Sequence, residues 1–151
     1  MTDKPDAVHL IHIGGPAQQV WDAIVERSGD YFFGHHWLFG DVGGEFRVIK
    51  PDGSTDSEGK VLVRDEPRLI RVAWKVLSIA ELEDAAPGEV EWRLDDLGDV
   101  TRLTVSEFNR PPQMARYAEA ARNGWSIILS GLKTLVETGR PMPAIKPEGP
   151  Q

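Results

Sequence analysis

The 151-residue sequence predicts an α+β domain in which seven antiparallel strands wrap over one long C-terminal helix. Three observations carry this expectation. The last apolar run places Trp125, Ile128, Leu129, Leu132, Leu135 and Val136 at steps of three and four, which is one stripe of a helix. Ahead of it, strand-like runs follow one another with short turn signals between them, which suits a meander rather than crossover units. Within those runs large apolar residues alternate with charged ones, so the sheet has one dry face and one wet face.

Taken in order, Val8 to Ile13 is a β-rich run bounded by Pro5 and by Gly14-Gly15, and reads as the first strand. Pro16 opens a helix on which Val20, Trp21, Ile24 and Val25 share a face, ending near Ser28-Gly29. Asp30 to Phe33 reads as a second, short helical turn. Six strands follow: Trp37 to Gly40, Gly44 to Lys50, Gly59 to Arg64, Leu69 to Leu77, Glu89 to Asp95 and Thr101 to Phe108. Turn chemistry separates them, as in Pro51-Asp52-Gly53-Ser54, Ala86-Pro87-Gly88 and Asp96-Leu97-Gly98-Asp99. Ile70, Val72, Trp74 and Val76 fall on one face with Arg71 and Lys75 opposite; Val90, Trp92 and Leu94 likewise oppose Glu89, Glu91, Arg93 and Asp95. Phe46 and Val48 alternate in the same way with Glu45 and Arg47.

Pro111-Pro112 suits a helix start and Gly139 followed by Pro141 a helix stop, so the last helix is expected over Gln113 to Thr138. Gly124 and Gly131 should each cost it about 1 kcal/mol against alanine, while each large stripe residue returns about 1.5–3 kcal/mol on burial. The helix therefore holds once a sheet covers the stripe. Residues 140–151 carry Pro141, Pro143, Pro147 and Pro150 without periodicity and read as a flexible tail, leaving a single domain over residues 1–139.

Composition excludes several classes. A net charge of −7 with no cluster of Lys and Arg argues against nucleic acid or an anionic membrane surface as partner. The absence of cysteine removes disulfides, thiolate metal sites and a cysteine nucleophile. The polar start, Met1 to Asp6, is followed by no long apolar run, so neither a signal peptide nor membrane insertion is expected, and the location expected is cytoplasmic. Gly14-Gly15 and Gly43-Gly44 lack the context of a phosphate-binding loop, and no cofactor is expected.

The candidate site residues are few. His35 and His36 invite a metal, but adjacent side chains in an extended segment diverge, and His9 and His12 lie on opposite sides of their strand. No carboxylate stands at ligand spacing beside them, so no metal is expected. Glu107 shares the parity of Leu103 and Val105; buried there, its carboxyl would rise in pKa and could serve as a general acid or base, which makes it a weak catalytic candidate. Inward positions nominate a ligand wall: Phe46, Val48, Val72, Trp74, Trp92 and Leu94 from the sheet, Ile128 and Leu132 from the helix. Trp37 and Phe39, with His36 as a polar contact, complete it. Gly124 and Gly131, seven apart, either allow close helix-to-sheet packing or leave room for a ligand. A homodimer paired through a sheet edge and the apolar Ile79 to Leu82 stretch is a further alternative.

The succession resembles the START-like, or SRPBCC, superfamily, and most closely the branch similar to the C-terminal domain of the activator of Hsp90 ATPase (AHSA1-like). The residues that carry the resemblance are Ile13-Gly14-Gly15-Pro16-Ala17-Gln18-Gln19-Val20-Trp21-Asp22-Ala23-Ile24, Gly59-Lys60-Val61 with Glu66-Pro67-Arg68-Leu69, Trp74, Thr101-Arg102-Leu103-Thr104, and Gly124-Trp125 with the leucines after it. The resemblance implies the helix-grip (Bet v 1-like) fold over about residues 8–139, with a deep cavity between the curved sheet and the helix. The function then expected is non-enzymatic binding of a hydrophobic small molecule or lipid in that cavity. One alternative is a polyketide cyclase-like or other cavity enzyme using Glu107 and His36. A second is a chaperone-associated interaction module.

Overall fold

A computed structural model of the chain describes residues 4–145. Seven strands form one sheet: β1 (Ala7–Gly14), β2 (His36–Phe39), β3 (Glu45–Ile49), β4 (Thr55–Asp65), β5 (Leu69–Val76), β6 (Gly88–Asp96) and β7 (Val100–Phe108). Their order is β1-β7-β6-β5-β4-β3-β2, every pairing antiparallel. Helix α1 (Ala17–Glu26) follows β1, and α2 (Ala118–Thr138) lies across the dry face. The expected helix-grip architecture is therefore the one observed. Because β1 closes onto β7, residues distant in sequence meet: His9 stands opposite Val105 and Ala7 opposite Glu107.

Local chemistry explains the boundaries. Gly139 takes φ +77° and its N–H donates to Leu135 O at 2.8 Å, so α2 ends on the left-handed glycine that its sequence supplies. The α2 start is corrected from Gln113 to Ala118, because Pro112–Tyr117 winds as a 3₁₀ helix. A doubled proline suits an extended entry, and the residues behind it bury no side chain that would draw them into α2. The turn expected at Asp30 to Phe33 begins earlier, as a 3₁₀ turn over Ser28–Asp30. Strand β4 starts at Thr55 rather than Gly59, since its inward position there is the buried Ser57, a polar residue that hides the alternation.

Two features set the interior. Gly59 packs so tightly against β5 that a Cβ there would lie 1.6 Å from Ala73 O, which explains why the inward column of β4 has no side chain at this level. The far end of α2 is pinned to β1: Lys133 Nζ donates to His12 O at 2.7 Å, and Gly14 N–H donates to Glu137 Oε2 at 2.7 Å. The near end of α2 meets β1 through the stacking of Trp125 on His9. Residues 140–145 are neither helix nor strand, and the rest of the expected tail, with Pro147 and Pro150, lies outside the described residues. Among the described residues no helix is long and apolar enough to cross a membrane.

Candidate functional site

The dry face of the sheet carries aromatic rings that meet one another. Trp37 is the hub, with ring centroids 4.2 Å from Phe32, 5.3 Å from Trp92, 5.8 Å from Trp74, 6.0 Å from Phe39 and 6.2 Å from Trp125. Its indole N–H is shared between Ile24 O (3.1 Å) and Tyr31 Oη (2.8 Å), and the Tyr31 hydroxyl donates in turn to Ile24 O at 2.7 Å. Full burial of that phenol pushes its pKa far up, so Tyr31 stays protonated. These groups satisfy each other completely and fill the centre of the grip.

Most of the wall residues read from the sequence belong to this filled centre. Trp37, Phe46, Val48, Val72, Trp92 and Leu94 are buried, and so are Ile128 and Leu132 on α2, all in one continuous core, with Phe39 packed against it. Of the nominated wall, Trp74 lines an open cavity, and the weak catalytic candidate Glu107 lines it too. His36 is exposed and lies over Gly29 rather than facing a cavity, and His35 Nδ1 sits 3.2 Å from Phe33 O. Among the described residues no group of three or more His, Asp or Glu is placed to hold a metal. A Cβ at Gly131 would lie 3.3 Å from Tyr31 O, so that glycine permits close packing; one at Gly124 would meet nothing within 4 Å.

An apolar open space lies at one end of the grip, apart from a more polar hollow that Gln18, Gln19, Asp22 and Glu26 of α1 line with Leu135 and Val136 of α2. The apolar space is a cavity of about 210 Å³, open to solvent on one side, where β5 and β7 end and β6 begins beneath the start of α2. Trp74, Val76 and Val90 line it from the sheet, and Met114, Ala121 and Trp125 from the α2 side. Leu82 closes it from the β5–β6 connection, where it is 2 % exposed in a 3₁₀ turn, Ala80–Leu82. Of the apolar Ile79 to Leu82 stretch, Leu82 therefore turns inward, while Ala80 and Glu81 stay exposed. Lys75 Nζ holds this connection by donating to Leu82 O (3.2 Å), Glu83 O (2.7 Å) and Ala85 O. The Tyr117 hydroxyl donates to the Glu81 carboxylate and Arg116 pairs with it at 3.2 Å, so the two short 3₁₀ segments clasp over the cavity.

One end of the cavity is charged. Glu107 Oε2 accepts from His9 Nε2 at 3.0 Å and pairs with Arg110 Nη2 at 3.3 Å, with the side chains 14 %, 11 % and 21 % exposed respectively. The His9 ring stacks on Trp125, centroids 6.0 Å apart, which fixes its position behind the carboxylate. Burial pushes the Glu107 carboxyl up, but the hydrogen bond from His9 and the Arg110 charge outweigh it and hold the group below the usual carboxylate range. The raised value expected from burial is thus corrected: Glu107 is ionised at neutral pH and has no proton to give. Glu89 also borders the cavity, and its carboxylate is engaged by Arg71 Nε (2.8 Å) and Asn109 Nδ2 (2.7 Å), the cross-strand pairing that the sequence leads one to expect.

A pH dependence follows with a definite sign. The folded pKa of Glu107 lies below the unfolded one, so its pairing contributes stability above about pH 4.3, the ordinary Glu value, and that contribution is lost as pH falls through the folded value. The stability gap between wild type and Glu107→Gln, followed by urea unfolding, is expected to be widest above about pH 5 and to close on acidification. A gap that stays constant down to pH 3 would rule out this source.

Period two places Trp74, Val76 and Val90 inward, but no periodic signal marks where the interior stops being filled. Arg110 and Met114 were missed because they lie in the irregular link to α2. His9 was missed as a partner of Glu107 because 98 residues separate them.

A family model described as "Activator of Hsp90 ATPase homolog 1-like protein" matches residues 15–137. No curated protein sequence matches the chain. Among solved structures, the chain is similar to DynU16, a protein of the dynemicin biosynthetic locus, with a TM-score of 0.73 and 22% identity over 89% of this chain. The chain spans about half the length of that protein, 48%. It is also similar to CalU16 from Micromonospora echinospora (TM-score 0.67, 25% identity, 90% of this chain and 76% of that one). PFC0360w, an Hsp90 activator from Plasmodium falciparum, matches at TM-score 0.65 and 19% identity over 89% of this chain and 97% of that one, which speaks for the fold alone.

Proposed function

This chain belongs to the activator of Hsp90 ATPase homolog 1-like family, and from that premise we propose that it binds a compact hydrophobic molecule in the cavity beneath the start of α2. The supporting observation is the contrast between a solid aromatic centre and one apolar space of about 210 Å³ with a charged end. Sites for drug-sized ligands run to roughly 300–1,000 Å³, so the space suits a molecule about the size of two fused rings, or the apolar end of a longer one. A whole lipid exceeds it, and the broader expectation of a lipid carrier narrows accordingly. A catalytic role for the same cavity has one observation in its favour, the contact between His9 and the ionised Glu107, which could act only as a base.

A native mass spectrum of freshly purified protein, compared with its denatured mass, tests the binding reading without naming the cargo. Additional mass that is lost on denaturation is the expected result. A bare chain that also fails to take up any neutral two-ring aromatic in a tryptophan-fluorescence titration would overturn it.

A further inference from the structure

Resting on the binding reading above, the geometry of the charged end points to the chemical class of the ligand. Both pairings of Glu107, with His9 and with Arg110, fall on Oε2. Oε1 has no hydrogen-bond partner among the described residues, although no buried side-chain oxygen or nitrogen among them lacks one. Oε1 is therefore not sealed in the protein, and Glu107 is a wall residue of the cavity. We propose that the cavity selects a small aromatic molecule bearing a hydrogen-bond donor, a hydroxyl or an N–H, which Glu107 Oε1 accepts while the ring packs against the cavity side of Trp74 and Trp125.

The surrounding charges favour a neutral donor over an anion. An ionised carboxylate has acceptor sites only, and in a space walled by Trp74, Val90, Met114 and Trp125 a ligand brings the partner that water would otherwise supply. An acidic ligand would bring a second negative charge beside Glu107. Two cations border the cavity, but Arg110 is already paired with Oε2, and Lys75 Nζ donates to the backbone carbonyls of Leu82, Glu83 and Ala85. A ligand with no polar group would leave Oε1 facing hydrocarbon.

Three probes of one size separate the cases: 1-naphthol, naphthalene and 1-naphthoate, titrated at pH 7 against the full chain with tryptophan emission as readout. A hydrogen bond to a charged acceptor corresponds to about tenfold or more in affinity, so naphthol is expected to bind at least tenfold tighter than naphthalene and tighter than naphthoate. In Glu107→Gln the donors of His9 and Arg110 claim the amide oxygen and turn its NH₂ toward the cavity, so the preference for naphthol should vanish. If that variant fails to fold by circular dichroism, the wild-type ranking decides alone. Equal binding of naphthol and naphthalene, or naphthoate binding tightest, overturns the proposed selection and leaves the cavity reading standing. Failure of all three probes to bind overturns both.

Discussion

Replacing Ala121 by tryptophan is expected to abolish uptake of a two-ring aromatic, weakening it by well over tenfold, while thermal stability changes little. Ala121 lies on the first turns of α2, four residues before Trp125, so the two share a helix face and both look into the cavity. The space there is about 210 Å³, and an indole from the helix side would take the volume that a ligand ring needs. Overpacking a dense core costs about 1–3 kcal/mol because side chains must leave their rotamers, but here the added ring enters space that is already open. The same substitution at Gly131 would behave differently, since a Cβ there already sits 3.3 Å from Tyr31 O. Binding of 1-naphthol undiminished in Ala121→Trp, with a folded spectrum, would place the ligand elsewhere.

The fold was legible because its signals are periodic. Alternation in Ile70-Arg71-Val72-Ala73-Trp74 and in Val90 to Leu94 reports which side of each strand is dry, and the stripe from Trp125 to Val136 reports the face of α2 that meets it. Burial parity, however, says only that a residue points inward. It does not say whether the volume in front of it is filled. Trp74 and Trp92 have the same parity and sit on neighbouring strands, yet one borders the cavity and the other is closed in by Trp37 and Phe39. The difference depends on where α2 begins and on how residues 77–87 fold back, and neither is periodic. Glu107 was legible as an inward acid for the same reason, whereas the direction of its pKa shift depends on His9 and Arg110, which the β1–β7 pairing and the link to α2 bring to it.

The filled centre carries the largest expected effect on stability. Trp37→Ala should cost about 3–5 kcal/mol, the range for truncating a buried aromatic, because Trp37 is 2 % exposed and sits at the hub of the ring cluster. Its offset or edge contacts with Phe32 and Trp92 each add about 0.5–1.5 kcal/mol beyond burial, which places the effect toward the upper part of that range. The hydrogen bonds add less than their number suggests, because Ile24 O keeps the Tyr31 hydroxyl as donor when the indole is gone. For a domain of this size such a loss corresponds to a fall in Tm of roughly 10–15 °C, with the near-ultraviolet circular dichroism of the coupled indoles reduced in the folded state. Trp74→Ala should cost distinctly less, since Trp74 is only half-buried and the void left behind joins a cavity that already exists. Equal losses in the two variants under chemical unfolding would mean that the cavity beside Trp74 is as tightly packed as the centre, and the division of the interior into a solid hub and an open end would fail.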